Sequence, residues 1–120
     1  MTKDEAKREI QKVLDAACEH FWFDEHVETR FENMGRIAGQ ARNEYGRYVL
    51  RLNEQLLTPE YSEHAFDTIV HEIAHLICFH DPSLGRNHDA GWKRVCMILG
   101  GSGNRTHNLP LAKARRTRKA

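Results

Sequence analysis

Residues 65–77 read AFDTIVHEIAHLI and form the most apolar helical pattern of this 120-residue chain. The apolar positions follow helical spacing and cover much of the circumference: Ala65, Phe66, Ile69, Val70, Ile73, Ala74, Leu76 and Ile77. Because a helix that is apolar on most sides must be buried, this segment predicts a long central helix. Thr58 or Ser62 can cap its beginning, and Asp81-Pro82 ends it.

Three ionisable residues, His71, Glu72 and His75, interrupt this helix. Successive helical residues are about 100° apart, so the two histidines share one face, one turn apart. Burying such groups without partners costs several kcal/mol, and a bound metal ion removes that cost. Zinc suits this pair because neutral imidazole binds it at about 2.0–2.1 Å and a zinc site can keep one position open. The pattern therefore predicts a zinc ion on His71 and His75.

Glu72 is predicted to be catalytic because it adjoins the first histidine and can contact a water instead of the metal. Zinc lowers the pKa of such a water to about 7 in well-tuned sites. A carboxylate beside the water can then take its proton during attack on a carbonyl group and deliver it to the leaving amine. The three residues together predict a zinc hydrolase with Glu72 as the general base.

An open catalytic zinc site needs a third protein ligand. The metzincin spacing would put a histidine at position 81, which is Asp81, and no glutamate follows Glu72. His80 lies about 180° around the helix from His71, so it is expected to point away from the metal. His88 follows a loop that allows the chain to reverse, and it is expected to begin the next helix. His88 is therefore the preferred third ligand.

The remaining segments predict a small α+β fold in a single domain. Thr2 and Glu5 form a capping-box pattern ahead of a first helix over about 3–20, and a third helical pattern covers 88–99. Short alternating runs predict strands at 27–31, 37–42 and 48–52, with Glu44-Tyr45-Gly46-Arg47 as a hairpin turn. We expect a three-stranded, mainly antiparallel sheet.

Composition places the chain among globular proteins, with 40% apolar and 29% charged residues. No apolar run approaches the roughly 20 residues of a membrane span, and the charged N-terminus differs from a secretory signal, so a cytoplasmic location is expected. Cys18, Cys78 and Cys96 are widely spaced at apolar helical positions. They are predicted to be small core residues, not disulfides or zinc ligands.

Charge is distributed unevenly along the chain. Residues 1–81 contain nine Lys/Arg against sixteen Asp/Glu, a net charge of −7, whereas residues 82–120 contain nine Lys/Arg against Asp89 alone, a net charge of +8. Residues 111–120 form a basic C-terminal tail that is expected to be disordered. A basic segment of this kind can also lie along a polyanion, so DNA is a candidate partner.

Several motifs together resemble the SprT-like family of zinc metallopeptidases, which includes the Spartan-type proteases. The similarity runs from about Phe31 to Asn108 and is carried by these residues: Gly35-Arg36, Ala38-Gly39, Arg51-Leu52-Asn53, Thr68 to Leu76, His88, Trp92, Leu99-Gly100 and Arg105-Thr106-His107-Asn108. The resemblance implies a zincin-like α+β metallopeptidase domain over residues 1–110. It also implies zinc on His71, His75 and His88, with Glu72 as general base.

The resemblance further implies a link to DNA, because the related Spartan proteases digest proteins crosslinked to DNA. Two features depart from the family pattern: Asp89 replaces the usual Gly after the third histidine, and the Cys-rich zinc ribbon of many bacterial members is lacking. Asp89 can orient His88 or cap the next helix. The basic tail can substitute for the ribbon.

The sequence thus predicts a zinc-dependent metalloendopeptidase that acts on polypeptides, some of them associated with DNA. One alternative is a non-catalytic nucleic-acid-binding module whose structural zinc is closed by a fourth ligand, such as Asp89 or His107. Another is a zinc hydrolase of a different amide or ester bond. Trp92 is expected to be a core residue because it shares a helix face with Val95 and Cys96.

Overall fold

The computed structural model describes residues 1–112 and has an α+β architecture, which confirms the predicted fold class. A central helix contacts two further helices and a three-stranded sheet. The elements are α1 (Lys3–Phe21), β1 (Val27–Glu32), β2 (Gly39–Glu44), β3 (Arg47–Asn53), α2 (Ser62–His80) and α3 (Ala90–Ile98), and short 3-10 segments cover Glu54–Leu56 and Pro59–Tyr61. Among the helices of these residues, none has the length and apolar character needed to cross a bilayer.

The sheet is mixed and has the strand order β1-β3-β2. β2 and β3 form an antiparallel hairpin through Tyr45 and Gly46, whose φ angles of 54° and 85° suit a two-residue turn. β1 lies parallel to β3, with Val27 opposite Tyr48. The expectation of mainly antiparallel pairing therefore holds for one of the two strand pairs. The difference arises because residues 33–38 carry the chain across the end of β3, so β2 forms on the far side of that strand from β1.

Helix α2 is the centre of the core, as its apolar pattern predicted. Its apolar residues Ala65, Ile69, Val70, Ile73, Ala74, Leu76 and Ile77 are at most 1% exposed. Helix α1 packs against it through Ala6, Ile10, Val13 and Ala17, and the predicted capping box of Thr2 and Glu5 is present. Ser62 is the first residue of α2, whereas Tyr61 occupies the N-cap without a side-chain hydrogen bond, so the prediction that Thr58 or Ser62 caps this helix is wrong.

Two of the three cysteines lie in the core. Cys78 and Cys96 are buried, as expected, whereas Cys18 is exposed. Cys18 follows the buried Ala17, and the 100° step between them turns its side chain off the buried face of α1. The prediction of a core position is therefore wrong for Cys18.

Helix α3 begins after His88, because Asp89 is its N-cap. One Asp89 carboxylate oxygen accepts a hydrogen bond from the Trp92 N–H at 2.9 Å, and the other accepts from the Arg86 N–H at 3.0 Å. His88 therefore lies in the turn before the helix and not, as predicted, within it. Of the two roles considered for Asp89, the structure shows the helix cap.

The last described residues pack against the domain. Leu111 is buried, and the Gln55 side-chain amide makes two hydrogen bonds to the backbone of Ala112, at 2.8 and 2.9 Å. Both residues belong to the segment 111–120 that the sequence predicts to be a disordered tail, and for them the prediction is wrong because these contacts hold them on the domain. The rest of that tail, residues 113–120, lies outside the described residues.

Asn53 fastens the loop of residues 33–38 to the end of β3. It is fully buried, and its side-chain amide donates hydrogen bonds to the carbonyls of Gly35 and Ile37, both at 2.8 Å, while its oxygen accepts from the Gln55 N–H at 3.0 Å. A buried polar side chain costs free energy unless such bonds are made. Asn53 therefore sets the path of the loop that connects β1 to β2.

We expect Asn53→Ala to lower the free energy of unfolding by about 2–3 kcal/mol, because it removes three hydrogen bonds of a buried side chain. Urea denaturation of the purified protein measures this change. Asn43→Ala is the matched control, since Asn43 is exposed and its side-chain oxygen accepts one hydrogen bond, from the Gly46 N–H of the hairpin turn. An equal loss in both variants would contradict the role given to Asn53.

Candidate metal centre

The structure brings His71, His75 and His88 together at one point. The Nε2 atom of His88 lies 3.0 Å from Nε2 of His75 and 3.1 Å from Nε2 of His71. Ligand atoms around one tetrahedral zinc ion, with bonds of about 2.05 Å, are about 3.3 Å apart. The three nitrogens therefore have nearly the spacing that a shared ion requires, and within residues 1–112 these histidines are the group that could hold a metal.

Trp92 packs against all three imidazole rings. Its ring centre lies 4.6, 5.2 and 4.7 Å from those of His71, His75 and His88, and it is stacked on His75. The indole N–H also donates to the His71 carbonyl oxygen at 3.3 Å. Trp92 is 1% exposed, so it is a core residue as predicted and at the same time restricts the orientation of the three rings.

The tautomer of His71 is set by a backbone contact. Its Nδ1–H donates to the carbonyl oxygen of Asn104 at 3.1 Å, which leaves the lone pair of Nε2 facing the other two histidines. No sequence pattern pointed to Asn104, because a backbone carbonyl has no side-chain signature.

Burial keeps the histidines neutral. It lowers the pKa of His75 to about 4, with a further contribution from the neighbouring imidazoles. Burial also lowers the pKa of His71 and that of His88. The positive charge of Arg105 lowers the pKa of His88 further. Three neutral imidazoles with converging lone pairs are a favourable donor set for a divalent cation.

Glu72 lies beside this group in a buried position. One carboxylate oxygen is 3.9 Å from Nε2 of His71, and the residue is 7% exposed. Burial raises the pKa of Glu72 to about 8, and the backbone N–H of Ala41 acts in the opposite direction. A cation held by the histidines would favour the ionised carboxylate.

Gly39, the first residue of β2, allows the sheet to approach Glu72. A Cβ atom there would lie 2.7 Å from Cγ2 of Thr68 and 3.1 Å from Cγ of Glu72, closer than ordinary contact permits. The absence of a side chain at position 39 is thus what lets β2 lie directly against the part of α2 that carries Glu72. From the sequence, Gly39 is identified only as part of the Ala38-Gly39 motif that resembles the SprT-like family.

A cleft of about 360 Å³ opens next to His71 and Glu72. It is lined by residues 36–39, including the exposed Ile37, and by residues 104–107. Arg36 and Arg105 line it together with the carboxylates of Asp67 and Glu72. It is large enough to admit part of a polypeptide chain.

The other histidines named from the sequence are not part of the three-histidine group. His107 lines the cleft, where its Nε2–H donates to the Arg36 carbonyl at 3.0 Å and its Nδ1 accepts from the Leu109 N–H. His80 ends α2 and contacts Tyr48 and Glu25 instead, as its helical angle predicted.

Comparisons with known proteins identify relatives of the chain. The model of the SprT-like family matches residues 9–113. Protein SprT of Shewanella oneidensis is 35% identical over 82 residues, which cover 68% of this chain and 51% of that protein, so the chain spans about half the length of this relative.

The crystal structure of the metallopeptidase zymogen abylysin from Pyrococcus abyssi has a similar fold. It superposes with a TM-score of 0.54 at 20% identity and covers 74% of this chain and 77% of that one. At that identity the likeness concerns the fold alone. The family match, which extends over most of the sequence, carries the assignment: the chain belongs to the SprT-like family.

Proposed function

We propose that this chain is a zinc-dependent endopeptidase in which His71, His75 and His88 hold the metal and Glu72 is the general base. The observation that carries the proposal is the convergence of three neutral imidazole nitrogens beside one buried carboxylate, at the wall of an open cleft. Family membership and the metallopeptidase fold of abylysin support the same class of reaction.

When bound, zinc acts as a Lewis acid that polarises a carbonyl oxygen and makes a water more acidic. The residues of the chain supply the rest of the chemistry. His71, His75 and His88 would hold the ion, and Trp92 restricts the orientation of their rings. Glu72 takes the proton from the attacking water on its carboxylate and delivers it to the nitrogen of the leaving amine.

The edge of the sheet supports a polypeptide substrate over another amide or ester. The Asn53 N–H donates to the Ala38 carbonyl oxygen at 2.9 Å. Because every second residue of an antiparallel strand bonds to its neighbour, the backbone N–H and C=O groups of Gly39 and Ala41 point away from β3. β2 is an edge strand, and Gly39 lines the cleft beside Glu72. An extended peptide can add to this edge through main-chain hydrogen bonds, which places its carbonyl groups near Glu72.

The alternative of a structural zinc site requires a fourth protein ligand. The two residues considered for that role are engaged elsewhere: Asp89 caps α3, and His107 bonds to Arg36 and Leu109. Within residues 1–112 the metal-binding group therefore consists of the three histidines. A site with three protein ligands keeps a position for water, which favours catalysis.

We expect Glu72→Gln to retain one zinc ion and to lower the rate of protein cleavage by about 10²–10⁴-fold, since the amide cannot accept the proton. Zinc content by native mass spectrometry and cleavage of an unfolded protein substrate measure the two effects. Glu63→Gln is the control, because Glu63 is an exposed glutamate on the same helix. Wild-type turnover by the Glu72 variant would disprove the assigned mechanism.

We expect His88→Ala to lower zinc stoichiometry well below one ion per chain, because two imidazoles on one helix hold zinc far less tightly than three. Native mass spectrometry after dialysis against a weak chelator measures the stoichiometry. His64→Ala is the matched control, since His64 is exposed on α2 and outside the three-histidine group. Full zinc occupancy in the His88 variant would assign the third ligand to another residue.

We further propose that the basic C-terminal segment, residues 82–120, binds DNA and brings the protease to DNA-associated proteins. The support is the charge of residues 82–120, with nine Lys/Arg against one Asp. Contacts between such cations and phosphates release counterions, so this binding weakens as salt is added.

We expect the removal of residues 113–120, which contain five Lys/Arg, to weaken the salt dependence of DNA binding. The slope of log K against the logarithm of the salt concentration should become less negative by up to about four. Fluorescence anisotropy with labelled single- and double-stranded DNA measures the slope. A variant with Lys7, Arg8 and Lys12 changed to Ala serves as the control for lost positive charge on exposed α1 positions. Binding that is absent, or insensitive to salt, would remove DNA from the proposed function.

A further inference from the structure

A carboxylate lies one helical turn before the first histidine and is bonded to the chain segment that follows α3. One oxygen of Asp67 accepts the backbone N–H of Ser102 at 2.7 Å, and the other accepts the Ser102 hydroxyl at 2.8 Å. Hydrogen bonds to an ionised carboxylate are about twice as strong as neutral ones. The two bonds together fix both the position and the orientation of Ser102 relative to α2.

The same hydrogen-bonded path continues to the metal centre. The Ser102 oxygen accepts the backbone N–H of Asn104 at 3.1 Å, and the Asn104 carbonyl accepts Nδ1–H of His71, also at 3.1 Å. The path thus leaves α2 at Asp67 and returns to it four residues later at His71. Each bond in this closed ring limits where the Asn104 carbonyl can lie.

Close packing holds this segment against α2 independently of the hydrogen bonds. A Cβ atom at Gly101 would lie 2.7 Å from Cγ1 of Val70 and 2.8 Å from Sγ of Cys96, so only glycine permits the approach. Gly103 has a φ of 74°, in the left-handed region that favours glycine. The Gly-Ser-Gly sequence at 101–103 therefore suits a tight turn with Ser102 directed at Asp67.

We propose that Asp67 and Ser102 are positioning residues of the metal centre. They hold the Asn104 carbonyl on Nδ1 of His71, which keeps the proton on that nitrogen and the lone pair of Nε2 toward His75 and His88. The inference rests on the proposed zinc site. It adds Asp67, whose carboxylate acts on His71 through Ser102 and Asn104. Hydrogen-bond partners of this kind orient metal-bound histidines in other proteins.

The test compares zinc affinity in Asp67→Ala, Asp67→Asn and Ser102→Ala with the wild type, by competition with a chromophoric chelator. Loss of an outer partner of a histidine ligand typically costs 10–100-fold in metal affinity, and water can reach this partly exposed path, so we expect about a tenfold loss for the two alanine variants. In Asp67→Asn the amide oxygen can still accept the Ser102 N–H, and the amide N–H can donate to the Ser102 hydroxyl oxygen, so a smaller loss is expected.

The other end of α2 provides matched controls. Asp81 accepts hydrogen bonds from the backbone N–H and the hydroxyl of Ser83, at 3.1 and 2.6 Å, and neither residue belongs to the path that leads to His71. Asp81→Ala and Ser83→Ala remove the same chemistry there and are expected to leave zinc affinity unchanged. Thermal unfolding of all variants separates a loss of stability from a loss of metal binding.

A spectroscopic measurement tests the position of the proton directly. In zinc-loaded wild type, the Nδ1–H resonance of His71 is expected to exchange slowly with water, and Ser102→Ala is expected to accelerate that exchange. Variants with zinc affinity within twofold of wild type and unchanged exchange would overturn the inference while leaving the zinc site intact. A wild-type protein that binds no zinc would overturn the proposed function, and this inference with it.

Discussion

A carboxylate and two imidazoles must be buried within the same two turns of the central helix, and the rest of the structure depends on that constraint. Ionised groups without partners are costly in an apolar interior. Glu72 is only 7% exposed, and burial shifts its pKa upward and that of His75 downward, so both groups are driven toward their neutral forms. A divalent cation relieves this situation, because neutral imidazoles can bind it and the carboxylate can ionise beside it.

Three segments around α2 contribute contacts to the centre. Trp92, in the first turn of α3, lies against the three imidazole rings, and the turn before α3 carries His88. The segment after α3 supplies the Asn104 carbonyl to His71, and β2 approaches through Gly39 until it meets Glu72. Orientation of the ligands is therefore a property of the packed domain and not of the five-residue motif by itself.

Much of this arrangement could be predicted from the sequence, because side-chain patterns report burial and helical angle. The apolar pattern predicts α2, the Glu44-Tyr45-Gly46-Arg47 turn predicts the β2–β3 hairpin, and the helical angle separates His80 from His71. Strand direction could not be predicted, because alternation shows which side chains share a face and not which way a neighbour runs. The sequence predicts that α3 starts at His88, whereas its N-cap is Asp89. The apolar pattern does not fix the first residue of a helix, and here the hydrogen bond from the Trp92 N–H to Asp89 does so.

Contacts made by backbone groups are the hardest to predict from a sequence, although they determine the shape of the cleft most directly. The parallel pairing of β1 with β3 obliges residues 33–38 to cross the end of β3, and this crossing brings Arg36 and Ile37 to the cleft. Asn53 holds the loop there through two carbonyl groups. The crossing also makes β2 an edge strand, so the backbone groups that it does not use to pair with β3 lie on the side of Glu72, whose carboxylate the Ala41 N–H already contacts. If β1 had instead paired with β2, that edge would be covered and an extended peptide could not reach the carboxylate by strand addition. The strand order is therefore part of the catalytic apparatus that we propose, as much as the three histidines are.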